Sequence, residues 1–259
     1  MPARLINLNA DLGEGYGPWT MGDDAAMLAI VNSANVACGG HAGDPDTMRA
    51  TARLARVHGV SIGAHPSYPD LRGFGRRAMN LKAGELESQV AAQIGALSAV
   101  AALEGMHVTH VKPHGALNNQ ACIDRALANT ICTSIRAVDP ALILLAPAAS
   151  ELVKAGLNAG LVVVEEIFAD RAYLPDGQLV PRSRPDAMIH GAAACLAHVR
   201  SMLDAGALIA IDGTRIPTPI GSICVHGDSP DAVAVARALR EGLQATGLRL
   251  TTLPELAKG

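Results

Sequence analysis

The chain has 259 residues, of which 49% are apolar and 17% charged, and its formal net charge is −3. The composition favours a soluble domain with a large apolar core. The slightly negative net charge differs from the strong positive charge that is typical of proteins that bind nucleic acids or anionic membranes. No apolar stretch approaches the roughly 20 residues that cross a bilayer, and the N-terminus lacks the profile of a signal peptide. We therefore expect a cytoplasmic protein without a nucleic-acid or membrane partner.

Strand and helix signals alternate along the chain, and no change in composition indicates a second domain. This alternation predicts one domain over residues 1–259, folded as an imperfect seven-stranded parallel (β/α) barrel, with an open doubly wound sheet as the alternative. A small β-hairpin, 208–212 and 216–220 with Asp212-Gly213 at its turn, is predicted before the last strand. The strands are predicted near 4–9, 34–38, 60–63, 107–112, 141–146, 161–167 and 222–226. The helices are predicted at about 23–32, 45–58, 82–104, 121–138, 148–158, 186–205 and 229–245.

Capping signals support two of these helix starts. Asp44-Pro45 and Ser229-Pro230 each place a capping side chain before a proline suited to the first helical position. The odd number of cysteines and the absence of a Cys-x-x-Cys pair predict buried thiols in a reducing compartment. The five are Cys38, Cys122, Cys132, Cys195 and Cys224.

The polar residues that follow the strands are the main functional signal. The carboxyl ends of parallel strands meet at one end of a barrel, so these residues should surround one cavity. We expect a catalytic group there, and the pattern indicates an enzyme. The group comprises Asp11, Glu14, His41, His65, Lys112, His114, Glu166, Asp170, Arg171 and His226.

Aromatic residues are few, and all are predicted to follow the first, third and sixth strands. We expect Tyr68, Phe74 and Tyr173 to line a substrate pocket, while Ala, Val, Leu and Ile fill the interior. Arg76 and Arg77 lie in the long loop 66–81, where they could bind a carboxylate or phosphate. The glycines around Phe74 suggest a mobile lid. A second long loop covers 168–185.

Two chemical questions stay open at this level. Asp11, His41 and His65 could hold a divalent metal, or the histidines could act as general acids and bases without one, and an obligatory metal is the less favoured alternative. Lys112 could stabilise an anion or could form an ion pair with Glu165 or Glu166. The glycine-rich turn after the first strand is neither a Walker loop nor a dinucleotide fingerprint, and no nucleotide-binding motif is recognisable.

Six segments, taken in order, resemble the LamB/YcsF family, whose members are also called the A subunit of 5-oxoprolinase. The resemblance extends from residue 5 to about 245. It departs from the family at Gly40, where phenylalanine is usual, at Asn118, where tyrosine is usual, and at Ala10. Loss of the two rings is expected to enlarge the pocket. The segments are 9–15, 33–45, 63–77, 110–117, 166–173 and 224–228.

The resemblance implies a barrel related to the glycoside hydrolase/deacetylase superfamily and the ATP-dependent opening of 5-oxo-L-proline to L-glutamate. It implies separate partner subunits B and C, which could bind the ATP, and a homo-oligomer is also compatible with the sequence. A metal-dependent deacetylase or carbohydrate-acting hydrolase is one alternative, and a non-catalytic subunit that presents a ligand is another. In the implied roles, Asp11, Glu14, His41 and His65 activate water, Lys112 and Arg171 neutralise anionic charge, and His114 or His226 donates a proton.

Overall fold

Seven parallel strands close into a barrel in the computed structural model, which describes residues 4–227 and 231–258. Leu5–Leu12 pairs with Ser33–Ala37 on one side and with Ser222–His226 on the other, so the seven strands form a closed barrel, and the predicted barrel is confirmed over the doubly wound sheet. The barrel strands are β1 (Leu5–Leu12), β2 (Ser33–Ala37), β3 (Ser61–His65), β4 (Val108–Val111), β5 (Ile143–Pro147), β6 (Val163–Phe168) and β9 (Ser222–His226).

Helices connect the strands, and one of them begins at Asp44, a capping residue that the sequence indicates. The Asp44 carboxylate accepts hydrogen bonds from the backbone of Asp46 and Thr47, with Pro45 at the first helical position. These caps satisfy backbone N–H groups that have no partner within the helix. The helices are α1 (Asp24–Leu28), α2 (Pro45–His58), α3 (Ala83–Ala102), α4 (Gly115–Ala121), α5 (Arg125–Val138), α6 (Glu151–Asn158), α7 (Ala192–Ala205), α8 (Ala232–Ala245) and α9 (Leu253–Leu256).

Some predicted boundaries were wrong. The helix expected at 121–138 is α5, which begins only at Arg125 after its cap Asp124, and a short helix that was not predicted, α4, precedes it and ends at Ala121. Helix α7 begins at Ala192 rather than near 186, since the long loop after β6 continues to Gly191. The predicted cap Ser229-Pro230 lies outside the described residues.

The hairpin before the last barrel strand is confirmed. Strands β7 (Ala207–Ile209) and β8 (Arg215–Pro217) pair antiparallel, with shorter limits than expected. A short strand that was not predicted, β10 (Arg249–Leu250), runs parallel to the beginning of β1. It lies at the amino-terminal end of β1, opposite the end where the polar residues emerge.

The barrel interior is more polar than the sequence suggested. Asn9 of β1 donates to Glu166 of β6, and His110 of β4 contacts Asn35 of β2 at 3.1 Å. Neither pair of strands is adjacent in the sheet, so these contacts must cross the interior. Gly63 makes room, because a Cβ there would collide with the His110 ring. The expectation of a purely aliphatic interior was therefore wrong, since β1 alternates inward polar residues with outward apolar ones.

The aliphatic core instead lies between the strands and the surrounding helices. Residues such as Ile6 and Leu8 of β1 and Ile94 and Leu97 of α3 are completely or almost completely buried there. All five cysteines are buried and free, as predicted. Among the helices described, none combines the length and apolar character needed to cross a membrane.

Candidate active site

A cavity of about 690 Å³ opens at the carboxyl ends of the barrel strands. Its size falls within the roughly 300–1,000 Å³ typical of small-molecule sites. Most of the polar residues predicted to meet at one end of the barrel line it, together with several loop residues. The predicted residues on its wall are Asp11, Glu14, His65, Arg76, Lys112, His114, Arg171, Tyr173 and His226.

Lys112 is the buried cation at the floor of this cavity. Its Nζ lies 3.0 Å from Asp11 Oδ1 and 3.2 Å from Glu166 Oε1. Burial alone would lower the pKa of Lys112, but its acidic neighbours, led by Asp11, raise that pKa well above its usual value. Of the two carboxylates considered as partners from the sequence, the structure shows the ion pair with Glu166. Glu165 instead binds Ala149 and Thr218.

Asp11 is held as a carboxylate. Burial would raise its pKa, but the interactions with His65 and Lys112 lower that pKa well below its ordinary value. Oδ1 accepts hydrogen bonds from Lys112 and from the Asn35 amide, while Oδ2 lies 3.4 Å from His65 Nε2. Asp11 therefore presents one oxygen to the histidines with its other oxygen fixed by the barrel.

Three histidine rings form a compact cluster beside Asp11. His41 and His114 stack in parallel, with ring centroids 3.6 Å apart and an interplanar angle of 1°. His65 stands almost perpendicular to His114, and His65 Nε2 is 3.0 Å from His114 Nδ1. Glu14 Oε1 completes the group, 3.0 Å from His41 Nε2 and 3.5 Å from His114 Nδ1.

Burial of this cluster disfavours the protonated, positively charged form of its imidazole rings. It lowers the pKa of both His41 and His114 well below the usual value, with a further contribution from neighbouring imidazoles. His41 Nδ1 has no hydrogen-bond partner among the residues described. The two rings are therefore neutral near neutral pH.

The loop 66–81 closes over the stacked rings at Phe74 and Gly75. Phe74 packs its ring edge-on against His41 and His114, with centroids 5.1 and 5.3 Å away. Its backbone is left-handed, at φ 52°, and its carbonyl accepts a hydrogen bond from His114 Nε2. A Cβ on Gly75 would lie 2.8 Å from the His114 ring, so only glycine allows this close approach.

His226 and Asp170 form an ion pair on another side of the cavity. His226 Nδ1 lies 2.8 and 2.9 Å from the two carboxylate oxygens of Asp170. Burial disfavours the imidazolium, but the Asp170 carboxylate outweighs burial and raises the pKa of His226. The ring also stacks on Phe168. His226 is thus the histidine of this rim best suited to carry a proton.

Arginines give the outer part of the cavity a positive charge. Arg171 is buried and donates to the Val180 carbonyl, while its Nε has no partner in residues 4–227 and 231–258. Burial and the nearby Arg182 lower the pKa of Arg171 to about 10. Arg182 and Arg76 also line the cavity. Sequence analysis missed Arg182, although its position in the long loop 168–185 was a usable signal.

Some predicted substrate-binding residues lie elsewhere. Tyr68 is buried with its hydroxyl bonded to Gln120, and Arg77 forms an ion pair with Asp70, so neither lines the cavity. Glu166 lies beneath the cavity against Lys112, where burial raises its pKa. His41 and Phe74 instead face a second, smaller cavity of about 390 Å³ on the other side of Glu14.

Of the two positions where the family usually has an aromatic ring, Gly40 and Asn118, only Asn118 lines the larger cavity. A side chain on Gly40 would collide with Gln93 and Ser67, so Gln93 fills the space beside Gly40. The expectation that both positions enlarge the pocket is therefore wrong for Gly40.

The residues that could hold a metal ion differ from the set suggested by the sequence. Potential ligand atoms of Glu14, His41, His65 and His114 all lie within 4.8 Å of one another. Asp11 is not part of this group: Lys112 and Asn35 hold its Oδ1, and only its Oδ2, 3.4 Å from His65 Nε2, faces the cluster.

Comparison with known proteins identifies the relatives of this chain. The family model described as LamB/YcsF matches residues 6–258. A protein named as the A subunit of 5-oxoprolinase from Azoarcus sp. (strain BH72) is 56% identical over 98% of this chain and 99% of its own length.

Solved structures show the same relationships. A lactam utilization protein from Thermus thermophilus superposes with a TM-score of 0.90 at 43% identity, covering 96% of this chain and 99% of the other. A T48 deacetylase shares the fold with a TM-score of 0.52, but at 14% identity over 99% of this chain and 92% of its own. The second similarity concerns the fold alone.

Proposed function

Because the chain belongs to the LamB/YcsF family, we propose that it is the A subunit of an ATP-dependent 5-oxoprolinase, which opens the lactam of 5-oxo-L-proline to L-glutamate. The observation that supports this most strongly is the similarity to a protein named as the A subunit of 5-oxoprolinase over nearly the full length of both chains. The proposal includes partner subunits B and C and a location in the cytoplasm.

The chemistry of the reaction explains why several kinds of side chain are needed. A five-membered lactam closes readily because its amine and carboxyl groups are held together, so its opening requires an energy source. In the proposed sequence, ATP phosphorylates the amide oxygen and ADP leaves. Water then adds to the ring carbon, and the carbon–nitrogen bond breaks as the nitrogen takes a proton. A second water releases phosphate from the resulting acyl phosphate, which leaves glutamate.

The anionic parts of the substrate fit the arginine side of the cavity. Arg171, with a buried Nε that no described residue binds, could donate to the lactam carboxylate, and Arg182 lies close enough to lower its pKa. Guanidinium groups suit carboxylates and phosphates because they can donate paired hydrogen bonds. Arg76 extends the same positive surface. No nucleotide-binding motif is recognisable in the sequence, so we assign ATP binding to the partner subunits or to an interface with them.

The remaining roles follow from the protonation states on the rim. In this proposal Asp11, fixed by Lys112 and kept ionised, orients the attacking water together with Glu14 and His65. His226, whose pKa Asp170 raises, is placed to protonate the departing ring nitrogen. His226 suits this role better than His114, because burial lowers the pKa of His114. Lys112 acts mainly through Asp11 and not as a free cation for the phosphate.

Reconstitution tests the proposal. The chain is mixed with candidate subunits B and C, ATP and 5-oxoproline, and glutamate and ADP are measured with each component omitted in turn. We expect glutamate only when all components are present. Hydrolysis of acetylated sugars without ATP would instead support a deacetylase. Glutamate formation by B and C alone would contradict the assigned role of this chain.

A further inference from the structure

Hydrogen bonds to the backbone fix the tautomers of two histidines in the cluster. His65 Nδ1 lies 2.7 Å from the Lys112 carbonyl oxygen, and His114 Nε2 lies 2.9 Å from the Phe74 carbonyl oxygen. A carbonyl oxygen can only accept, so each of these ring nitrogens carries a hydrogen and donates it. In a neutral ring the other nitrogen then presents a lone pair.

Those two lone pairs face each other. His65 Nε2 and His114 Nδ1 are 3.0 Å apart, and neither neutral ring has a hydrogen left to place between them. Two carboxylates lie close to these nitrogens, with Asp11 Oδ2 3.4 Å from His65 Nε2 and Glu14 Oε1 3.5 Å from His114 Nδ1. Facing lone pairs surrounded by carboxylates repel one another unless a cation lies between them.

The distances suit a small divalent ion. Tetrahedral Zn²⁺ has ligands about 2.0–2.1 Å away, which places neighbouring ligands about 3.3 Å from one another. His114 Nδ1 lies 3.0 Å from His65 Nε2 and 3.5 Å from Glu14 Oε1, and these two separations bracket that value. His65 Nε2 and His114 Nδ1 are adjacent and their rings are 85° apart, so one ion between them can contact both lone pairs.

His41 does not fit as a ligand alongside His114. The two rings are parallel and 3.6 Å apart, so an ion in the plane of one would lie far from the plane of the other. Ring nitrogens bind metals along their in-plane lone pairs. His41 instead contacts Glu14 through Nε2 at 3.0 Å and can hold that carboxylate in place.

We propose that Glu14, His65 and His114 form a binding site for a divalent transition-metal ion of the zinc type, with His41 as a positioning residue. Two imidazoles and one carboxylate with an open fourth position form a ligand set known from catalytic zinc sites. The hydrogen bonds from His65 and His114 to carbonyls are the kind of additional interaction that orients metal-binding histidines. All three ligands line the larger cavity, which provides a path for entry and an open face. An ion there would polarise an oxygen atom of water or substrate.

Metal binding by the isolated full-length chain tests this site without lactam, ATP or partner subunits. After treatment with a chelator and dialysis, Zn²⁺ and Co²⁺ are titrated by calorimetry, and the visible absorption of bound Co²⁺ reports its coordination. We expect one ion per chain and a cobalt spectrum typical of four or five ligands. Because loss of a residue that only orients a ligand costs about 10- to 100-fold, H65A and H114A should each lose at least about 100-fold in affinity.

Two further variants separate the roles. H41A should lose about 10- to 100-fold in affinity and retain the cobalt spectrum, as expected of a residue that only positions Glu14. H190A removes an exposed histidine that lines neither cavity and should bind the ion as the unmodified chain does. Circular dichroism checks that each variant is folded, and Glu14→Gln provides a nearly isosteric loss of the ligand charge.

The proposal is wrong if the folded, unmodified chain binds no more than the H65A and H114A variants. In that case a proton shared between His65 Nε2 and His114 Nδ1, and not a metal ion, would separate the two nitrogens. It is also wrong if H190A loses as much affinity as H65A. Because no turnover is measured, these results do not depend on the proposed 5-oxoprolinase activity.

Discussion

Lys112 Nζ lies 3.0 Å from Asp11 Oδ1, a buried ion pair that connects the end of β4 to the end of β1. Glu166 Oε1 lies 3.2 Å from the same ammonium group, so one buried cation forms ion pairs with two buried carboxylates. The position of Asp11 beside the histidines therefore depends on a side chain from a different strand.

The first prediction concerns the stability of this group. Lys112→Met should reduce the free energy of unfolding by about 3–5 kcal/mol, because removing one partner leaves buried charge uncompensated. Urea denaturation measures the change. Lys154→Met, which removes a partner of Glu151 on the surface, should leave the midpoint nearly unchanged. Equal effects of the two substitutions would contradict the buried ion pair.

The second prediction concerns pH. A general acid must be protonated, so turnover should fall as pH rises through the raised pKa of His226, above the ordinary 6.5. Asp170→Asn removes the carboxylate that raises this pKa, and the fall should move to lower pH. Asp11, which also raises the pKa, and Lys112, which lowers it, remain in the variant. The midpoint of the alkaline limb of kcat is measured in the reconstituted complex, and an unchanged midpoint would exclude His226 as the acid.

The contribution of His226 to folding stability should also decrease as pH rises. Its stabilising contribution is fully present below the unfolded pKa of about 6.5 and is lost as pH rises through the higher folded pKa. In Asp170→Asn that loss should begin at lower pH, which thermal melts at several pH values would detect.

The third prediction concerns recognition of the substrate carboxylate. Arg171→Lys should raise KM for 5-oxoproline about 10- to 100-fold with a smaller effect on kcat, since a hydrogen bond to a charged group contributes about 1.5–3 kcal/mol. Steady-state kinetics separates the two constants. Arg184→Lys changes an arginine of the same loop that pairs with Asp186, and its KM should be unchanged. If the two variants have the same KM, Arg171 does not bind the carboxylate.

The fourth prediction concerns the size of the substrate. Asn118→Tyr should fill part of the cavity and reduce kcat/KM for the six-membered homologous lactam, relative to 5-oxoproline, by about 10-fold or more, the effect expected for one methylene group. Gly40→Phe should lower the melting temperature, because Gln93 occupies the adjacent space. An unchanged ratio for Asn118→Tyr would show that this part of the cavity does not touch the ring.

The barrel and its rim were predictable because they depend on periodic patterns. Apolar runs alternate with capped helices, and the polar residues follow the strands in sequence. Helix α4 was missed because it is short and contains Gly115, Asn118 and Asn119, which are weak helix formers. Strand β10 was missed because a strand of two residues is too short to show an alternation of apolar and polar side chains.

The contacts that define the site could not be predicted. Asp170 and His226 are 56 residues apart, and their pairing depends on the loop after β6. The tautomers of His65 and His114 depend on backbone carbonyls, which have no sequence signature. Tyr68 and Arg77 were expected at the pocket because the loop 66–81 follows a barrel strand, but the loop path directs Tyr68 toward Gln120 and Arg77 toward Asp70.

Glutamate formation by a reconstituted complex that carries His226→Asn is the sharpest test of lactam opening at this rim. If this rim opens the lactam, the variant should assemble with subunits B and C but form glutamate about 10²- to 10⁴-fold more slowly, the range expected for loss of a general acid. His190→Asn, an exposed histidine outside the rim, should behave as the unmodified chain does. A His226→Asn complex with full activity would contradict this assignment, because lactam opening would then take place elsewhere.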